Sequence, residues 1–428
     1  MRKILAAFGA LALGASLAAC SGTAKSDDKA ASGDDSAQQV QVVTWWSAGS
    51  EKLGFEALTK VFGKKYPDIK LVNAAASGGG GTNAKQKLAA DLAAKNPPDT
   101  YQAHAGAELS SDIAAGYLQD VSALYDEFNL RKAFPKDLVD RITVDGKIYS
   151  VPSNIHRANV VWVNGEVLKK AGLSTEAPAT LAAWIADMEK LKAAGVQYPI
   201  TVGMSWTQLQ LLETVLLADL GVEGYNALSS NPEAWKGAEV TKALNDFAKI
   251  MSFTDPSLYS EDWEPAMKPV IDGKSAYNVM GDWAPPAWDG ADKKWGTDYF
   301  TWPVPGTNGV FDFLADSFTL PTGSKHPDGT KAWLDTISSK EGQIAFNSVK
   351  GSIPARSDLT EAELKDFSDY QKSAMESFGK DAIVSSIAHG AALPLKQTEA
   401  MKEALGKFNS TNDVTALQTE LAGAAAMK

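Results

Sequence analysis

Short β-branched runs alternate with amphipathic helical stretches from Val40 onward, and that alternation admits few folds. After "VVTWW" comes "EKLGFEALTKVFGKKYP", where Phe55, Leu58 and Phe62 recur at helical spacing. Ser50 or Ser47 is placed to cap this helix and Pro67 to end it. "IKLVNAAA" reads as a strand, "TNAKQKLAADLAAK" as a helix, and "PPDTYQAHA" as a turn followed by a strand. Such alternation builds a largely parallel sheet covered by helices, an α/β fold. Residues 146–164 form a long extended stretch, followed by the helix "GEVLKKAG" and a mainly helical region to about Asp298. "YFTWPVPG" and "LADSFTLP" restore strand character, and the segment beyond Gly329 reads as helical to the end.

Residues 1–20 stand outside this pattern. Arg2 and Lys3 open the chain, an apolar run follows from Ile4, and "LAAC" ends at Cys20. A basic start, an apolar stretch and a small-residue cleavage point mark a secretion signal. The ending resembles the lipobox of bacterial lipoproteins. That implies a lipidated Cys20 and an extracytoplasmic protein, anchored to the outer face of the cell membrane or on its periplasmic side. Cys20 is the single cysteine, so no internal disulfide can form, and no later apolar run is long enough to span a bilayer. Residues 21–39 are Ser, Gly, Ala, Asp and Lys with hardly a large apolar side chain, a flexible tether. The remaining chain, about 390 residues, suits two domains better than one. A formal charge of −11 argues against nucleic acid or an anionic membrane as the main partner. Twelve tryptophans are many for this length, and indole faces are the surfaces on which sugar C–H groups pack.

"GGGG" at 78–81 lacks the Gly-Lys-Ser/Thr ending of a phosphate loop; it predicts a flexible loop or backbone lying close to a ligand. Trp45 and Trp46 sit side by side at a strand end, where neighbours point to opposite faces. One is then core and the other exposed by chance, or the pair offers a flat surface to a ligand. The order of "VTWWSAGSE", "DTYQAHAG", "YSVPSNIHRANVVWVN", "MGDWA", "ADSFTLP", "VKGSIPAR" and "HGAALP" resembles the sugar-binding lipoproteins of bacterial ABC importers. These belong to the maltose-binding-protein-like class, and the glucose/mannose-binding members are the nearest in pattern. The resemblance runs from about Val40 to the C-terminus. It implies a two-lobed, class II periplasmic-binding-protein-like fold that closes on ligand at a hinge, with crossings near 151–153, 304–306 and 352–355. Residues 40–151 plus 304–352 would form the first lobe, and 152–303 plus 353–428 a helix-rich second. It further implies a monomer that captures a glucose- or mannose-like monosaccharide and delivers it to a membrane permease driven by a separate ATPase. No cofactor and no metal enter that expectation.

In this class Trp45 and Trp46 line the cleft, with Trp46, nearer the loop, as the expected stacking ring. Glu51, in the first helical turn, either accepts from sugar hydroxyls or complements the helix dipole. Gln102 and His104 lie two apart on a strand and share a face. Asn154 and His156 have the same spacing in the crossover, where ligand contact competes with a hinge role. Trp206 in "GMSWTQLQ" and Trp283 in "GDWAPP" are the second lobe's expected platforms, with Asp282 hydrogen-bonding the sugar or capping a turn. Trp263, Trp288, Trp295 and Trp302 have the contexts of packing or rim residues. Asp316 stands in an otherwise apolar strand, Lys350 precedes a turn, and His389 is followed by Gly390. A carboxylate accepts two hydroxyl protons and an ammonium donates to lone pairs, and each such charged bond contributes roughly 1.5–3 kcal/mol. Lys85 could reach the cleft from the helix after the glycines, whereas Lys87 reads as surface.

A rival reading is an extracytoplasmic glycoside hydrolase with Asp282 and Asp316 as its carboxylate pair. The sequence holds no nucleophile elbow, no HExxH and only four histidines, so it favours binding over catalysis. Within binding, a disaccharide or short oligosaccharide, or another neutral monosaccharide, is the main competitor to glucose or mannose.

Overall fold

The structure, a computed structural model, describes residues 39–76, 78 and 81–427. Cys20, the signal and nearly all of the tether lie outside them. The strand Gln39–Val43 buries Val40 and Val42 completely and leaves Gln41 exposed between them. It runs parallel to Lys70–Asn73 on one side and to Thr100–His104 on the other. Asp316–Thr319 and then Ser150–Pro152 add to the sheet antiparallel, giving five strands. Helices Gly49–Lys65, Pro327–Ser338 and Lys340–Lys350 cover it. Phe55, Leu58, Phe62, Trp333 and Phe346 fill the space between, each 3% exposed or less. Burying a Leu or Phe side chain stabilises by about 1.5–3 kcal/mol, so this layer is what holds the sheet's edge residues in place.

A second, four-stranded sheet is ordered Tyr299–Pro303, Val160–Asn164, Tyr277–Val279 and Ile200–Thr201. Its core of Val161, Val163, Trp184, Leu212 and Phe247 packs under helices Ser205–Ser230, Ala238–Met251, Leu395–Thr411 and Val414–Ala425. Between the two lies a three-stranded sheet of Ala382–Ser385, Val310–Leu314 and His156–Arg157. The extended run 146–164 is therefore not one strand. It is divided among four sheets, through Lys147–Ile148, Ser150–Pro152, His156–Arg157 and Val160–Asn164.

Local expectation fails in two further places. Neither Ser47 nor Ser50 caps the first helix; Ala48 is its N-cap and makes no side-chain bond. Ala382–Ser385 is a strand inside a stretch read as helical, because parallel pairing with Val310–Leu314 outweighs local preference. Helix Ser205–Ser230 is broken at Gly221, whose φ of +67° only glycine adopts without strain. The chain turned there brings Tyr225 back onto Glu213. Among the described residues no helix is long and apolar enough to cross a membrane.

Candidate functional site

Asp316 and His104 are Cα partners at the ends of two adjacent inner strands of the first sheet, so both side chains stand at the same end of that sheet. Lys350 ends the helix Lys340–Lys350, where Gly351 at φ +94° turns the chain, and its ammonium meets Glu51 at 3.3 Å. From the other side come Trp206 in the first turn of Ser205–Ser230, Trp283 beyond Tyr277–Val279, and His389 in the loop before Leu395–Thr411. These groups surround a cavity of about 700 Å³, its mouth included.

Rings form a continuous wall across it. Centroids are 5.2 Å apart for Trp45 and His104, 5.6 Å for His104 and His389, and 5.4 Å for His389 and Trp283. Trp206 joins at 5.9 Å from His389, and its Nε1 donates to Asp262 at 3.0 Å. The Nε1–H of Trp283 has no hydrogen-bond partner among the described residues. A Cβ at Gly281 would lie 2.0 Å from the Trp283 ring, and one at Gly81 2.8 Å from the Trp45 ring. Both indoles are thus seated by glycines.

The wall's charges are paired. Lys85 lies 2.8 Å from Glu108 and 5.0 Å from the Trp45 ring centroid, and His104 Nδ1 is also 2.8 Å from Glu108. Burial alone would raise the Glu108 carboxyl, but Lys85 and His104 outweigh it and hold it down at about 2. Asp316 is 3% exposed. It accepts from Gln102 Nε2 at 2.9 Å and Asn154 Nδ2 at 2.8 Å, and His156 Nε2 lies 3.2 Å away. Burial opposes ionisation there too, yet His156, His104 and Lys350 hold Asp316 well below the usual carboxylate range. The other nitrogen of His156 bonds Asp282, and the two carboxylates overcome burial to raise the imidazole's pKa. Asp282, His156 and Asp316 thus form one buried ionic chain, anchored in the middle sheet by His156. Among the described residues no cluster of His, Cys, Asp and Glu is arranged to hold a metal ion.

Residues 48–344 match the family of bacterial extracellular solute-binding proteins. The chain belongs to that family. It is 34% identical, over 97% of its length and 94% of the relative's, to an uncharacterised ABC transporter extracellular-binding protein of Pyrococcus horikoshii. It is 28% identical to a xylose/arabinose-binding protein of Haloferax volcanii, over 88% of this chain and 82% of that one. A solved chitin oligosaccharide binding protein superposes with a TM-score of 0.78 at 20% identity, covering 91% of this chain and 100% of the other. That likeness speaks for the fold, the two-lobed α/β architecture of solute-binding proteins. The family is one of binding proteins, and this member is not an enzyme.

Within this solute-binding protein, Trp45, Glu51, Lys85, His104, His156, Trp206, Trp283, Asp316, Lys350 and His389 all reach the cavity. Four expected residues do not. Trp46, the expected stacking ring, is 1% exposed and packs on Phe318 and Phe346, with ring centroids at 5.5 and 4.6 Å. It is a core residue of the first sheet, and Trp45 is the indole turned to the cavity. Gln102 and Asn154 stand behind the wall and hold Asp316. Asp282, 0% exposed, orients His156 and has no access to a ligand. That arrangement also removes it as half of a glycosidase pair.

Other residues were missed. Trp263, read as packing or rim, lines the cavity beside Asp262, while Trp288 stacks on Tyr299 in the core and Trp302 is 6% exposed in the second sheet's core. Trp295 is exposed on the surface. Glu108, Thr398 and Lys402 also line the cavity. Nothing in their flanking sequence set them apart from helix-surface residues. Lys87 is exposed and pairs with Asp91, as its context implied.

Proposed function

We propose that this protein captures a neutral monosaccharide of the glucose or mannose type and delivers it to the permease of an ABC importer driven by a separate ATPase. The observation that carries this reading is the joining of ring faces and paired charges from two sheets around one cavity. Indoles offer faces to sugar C–H groups, while Asp316 and Lys350 offer an acceptor and a donor to hydroxyls. Because Lys85, Lys350 and His156 each already face a carboxylate, the site favours an uncharged ligand. Lobes of residues 40–151 plus 304–352 and 152–303 plus 353–428 would close at the middle sheet. Closure requires that the sugar bind the closed form better, and contacts from both lobes supply that difference.

A second reading, a disaccharide or short oligosaccharide, is favoured by one observation. Trp45, Glu51, Gly78, Asp262 and Trp263 are shared with a wider groove of about 1480 Å³, open solvent at its mouth included, that continues the cavity outward. A thermal-shift screen over common mono- and disaccharides separates the two. A true ligand at ~100 times its Kd should add about 2.7 kcal/mol of stability. A larger response to every disaccharide than to any monosaccharide would favour the groove reading, and no response to any sugar would end both.

Cys20 carries the proposed lipid anchor, which would hold a monomer at the outer face of the membrane. Cys20→Ala should abolish labelling by a radioactive fatty acid and release the protein from membranes while sugar binding persists. Unchanged labelling in that variant would refute the anchor.

A further inference from the structure

Behind His389, away from the cavity, lies a buried polar group that ligand contact does not use. Glu213, 1% exposed on the helix Ser205–Ser230, accepts from Ser386 Oγ at 2.9 and 3.0 Å, from the backbone N–H of Ala388 at 2.9 Å and from the Tyr225 hydroxyl at 3.2 Å. Ser386 Oγ is also 2.9 Å from His389 Nδ1 and accepts from the His389 backbone N–H at 3.2 Å. His389 itself is 6% exposed on the cavity wall. Its Nε2 has no partner among the described residues.

A serine hydroxyl has one proton to give. When Glu213 is ionised that proton goes to the carboxylate, so Ser386 can only accept from His389. The imidazole hydrogen then sits on Nδ1, and Nε2 is a bare acceptor facing the cavity. We infer that Glu213 and Ser386 are positioning residues that set the tautomer of His389, so that its cavity nitrogen accepts a hydrogen bond from one sugar hydroxyl. The sugar part rests on the proposed function; the tautomer does not.

The ring must stay neutral for this to hold. Burial first, and then the positive fields of His104, Lys402, His156 and Lys85, keep the His389 pKa well below its ordinary value. Those groups face it from Thr100–His104, Leu395–Thr411, the crossover strand His156–Arg157 and Thr82–Ala93. Glu213 lies 3.8 Å from Nδ1 on the remaining side, with Tyr225 and the buried carboxyl of Asp312 both against it. Asp312, which also faces Arg157, is held well above its ordinary value by burial and then by Glu213. Burial pushes Glu213 up to about 7. Below that pH the relay reverses: Glu213 donates to Ser386, Ser386 donates to Nδ1, and Nε2 carries the hydrogen. The cavity nitrogen turns from acceptor to donor.

Ring-nitrogen NMR on the sugar-free full chain tests this, with His389 among four histidines assigned by His389→Gln. At about pH 8.5 His389 should be neutral with its hydrogen on Nδ1, and at about pH 5.5 on Nε2. Glu213→Gln, whose amide donates to Ser386, should give the Nε2–H form already at the higher pH. Ser386→Thr should keep the parent tautomer and Ser386→Ala should lose its fixed preference. An imidazolium or an Nε2–H ring in the parent at high pH would overturn the inference, as would one tautomer shared by parent and Glu213→Gln. In a second arm, the parent should bind one of the monodeoxyfluoro-D-glucoses about tenfold or more weakly than D-glucose at high pH, since fluorine cannot donate. Glu213→Gln should lose that discrimination. If neither glucose nor its analogues bind while the tautomers behave as stated, the sugar reading falls and the relay stands; the reverse outcome sinks the relay alone.

Discussion

Replacing Asp316 by alanine should weaken binding of the best sugar by ~100-fold or more and leave the fold intact. Two hydroxyls lose a charged acceptor inside a desolvated cavity, and at roughly 1.5–3 kcal/mol per charged bond the loss is at least that large. Asp316 also organises its neighbours. Gln102, Asn154 and His156 all converge on its carboxylate, and the Asp316 backbone N–H donates to Asn154 Oδ1 at 2.8 Å. Without the carboxylate, His156 retains Asp282 as its only ionic partner and is free to tilt toward it. Asp316→Asn should fare little better. One side of the new amide would bring a donor against the donors of Gln102 or Asn154, and His156 would lose the second of its two carboxylates, keeping Asp282. The sheet itself does not depend on the group, since Ser317 and Phe318 supply the strand's pairing and core contact. Calorimetry with circular dichroism as a folding control decides the matter. A well-folded Asp316→Ala protein that binds sugar like the parent would place the site elsewhere.

Much of this architecture can be read from residue spacing, because a strand repeats every two residues and a helix every 3.6. Phe55, Leu58 and Phe62 gave a helix where one exists, and Thr100–His104 is a strand where Gln102 and His104 were expected to share a face. They do share it, at different depths: Gln102 behind the cavity wall, His104 in it. Trp45 and Trp46 do diverge, although both lie just past the strand's end at Val43, and nothing local says which faces the core. That choice is made from far along the chain, by Phe318 and Phe346 closing over Trp46 and by Gly81 and Lys85 lying against Trp45. The abundance of tryptophan misleads in the same way. Trp162, Trp184, Trp235 and Trp333 are fully buried in hydrophobic layers, while four others line the cavity. Glu108 was illegible because its meaning comes from Lys85 and His104, which only the fold brings to it. Short strands such as Ala382–Ser385 are illegible for a related reason, since their partners, not their own residues, make them strands.

Glu213 should make the protein less stable as pH rises toward neutrality, the opposite of the trend that exposed or salt-bridged carboxylates impose. Its folded-state value, about 7, lies above the ordinary 4.5, with burial the leading cause. A carboxyl raised in this way contributes its stability in full below the unfolded value and loses it as pH climbs through the folded one. A shift of that size corresponds to roughly 3 kcal/mol, lost between about pH 4.5 and pH 7. Asp312, 0% exposed, is likewise held well above its ordinary value by burial and then by Glu213, so it acts in the same sense. Asp316 and Glu108 act in the opposite sense, but their lowered values confine their effect to more acidic solution. Glu213→Gln keeps an acceptor for Ala388 N–H and Tyr225 while removing the charge. Urea unfolding at about pH 5 and pH 8 should show the parent losing roughly 3 kcal/mol more than this variant across the interval. The measurement is independent of any ligand. Equal pH dependence in the two proteins would mean that Glu213 is ionised without cost in the folded chain, and that the carboxyl pair beneath His389 is not the buried proton store its surroundings imply.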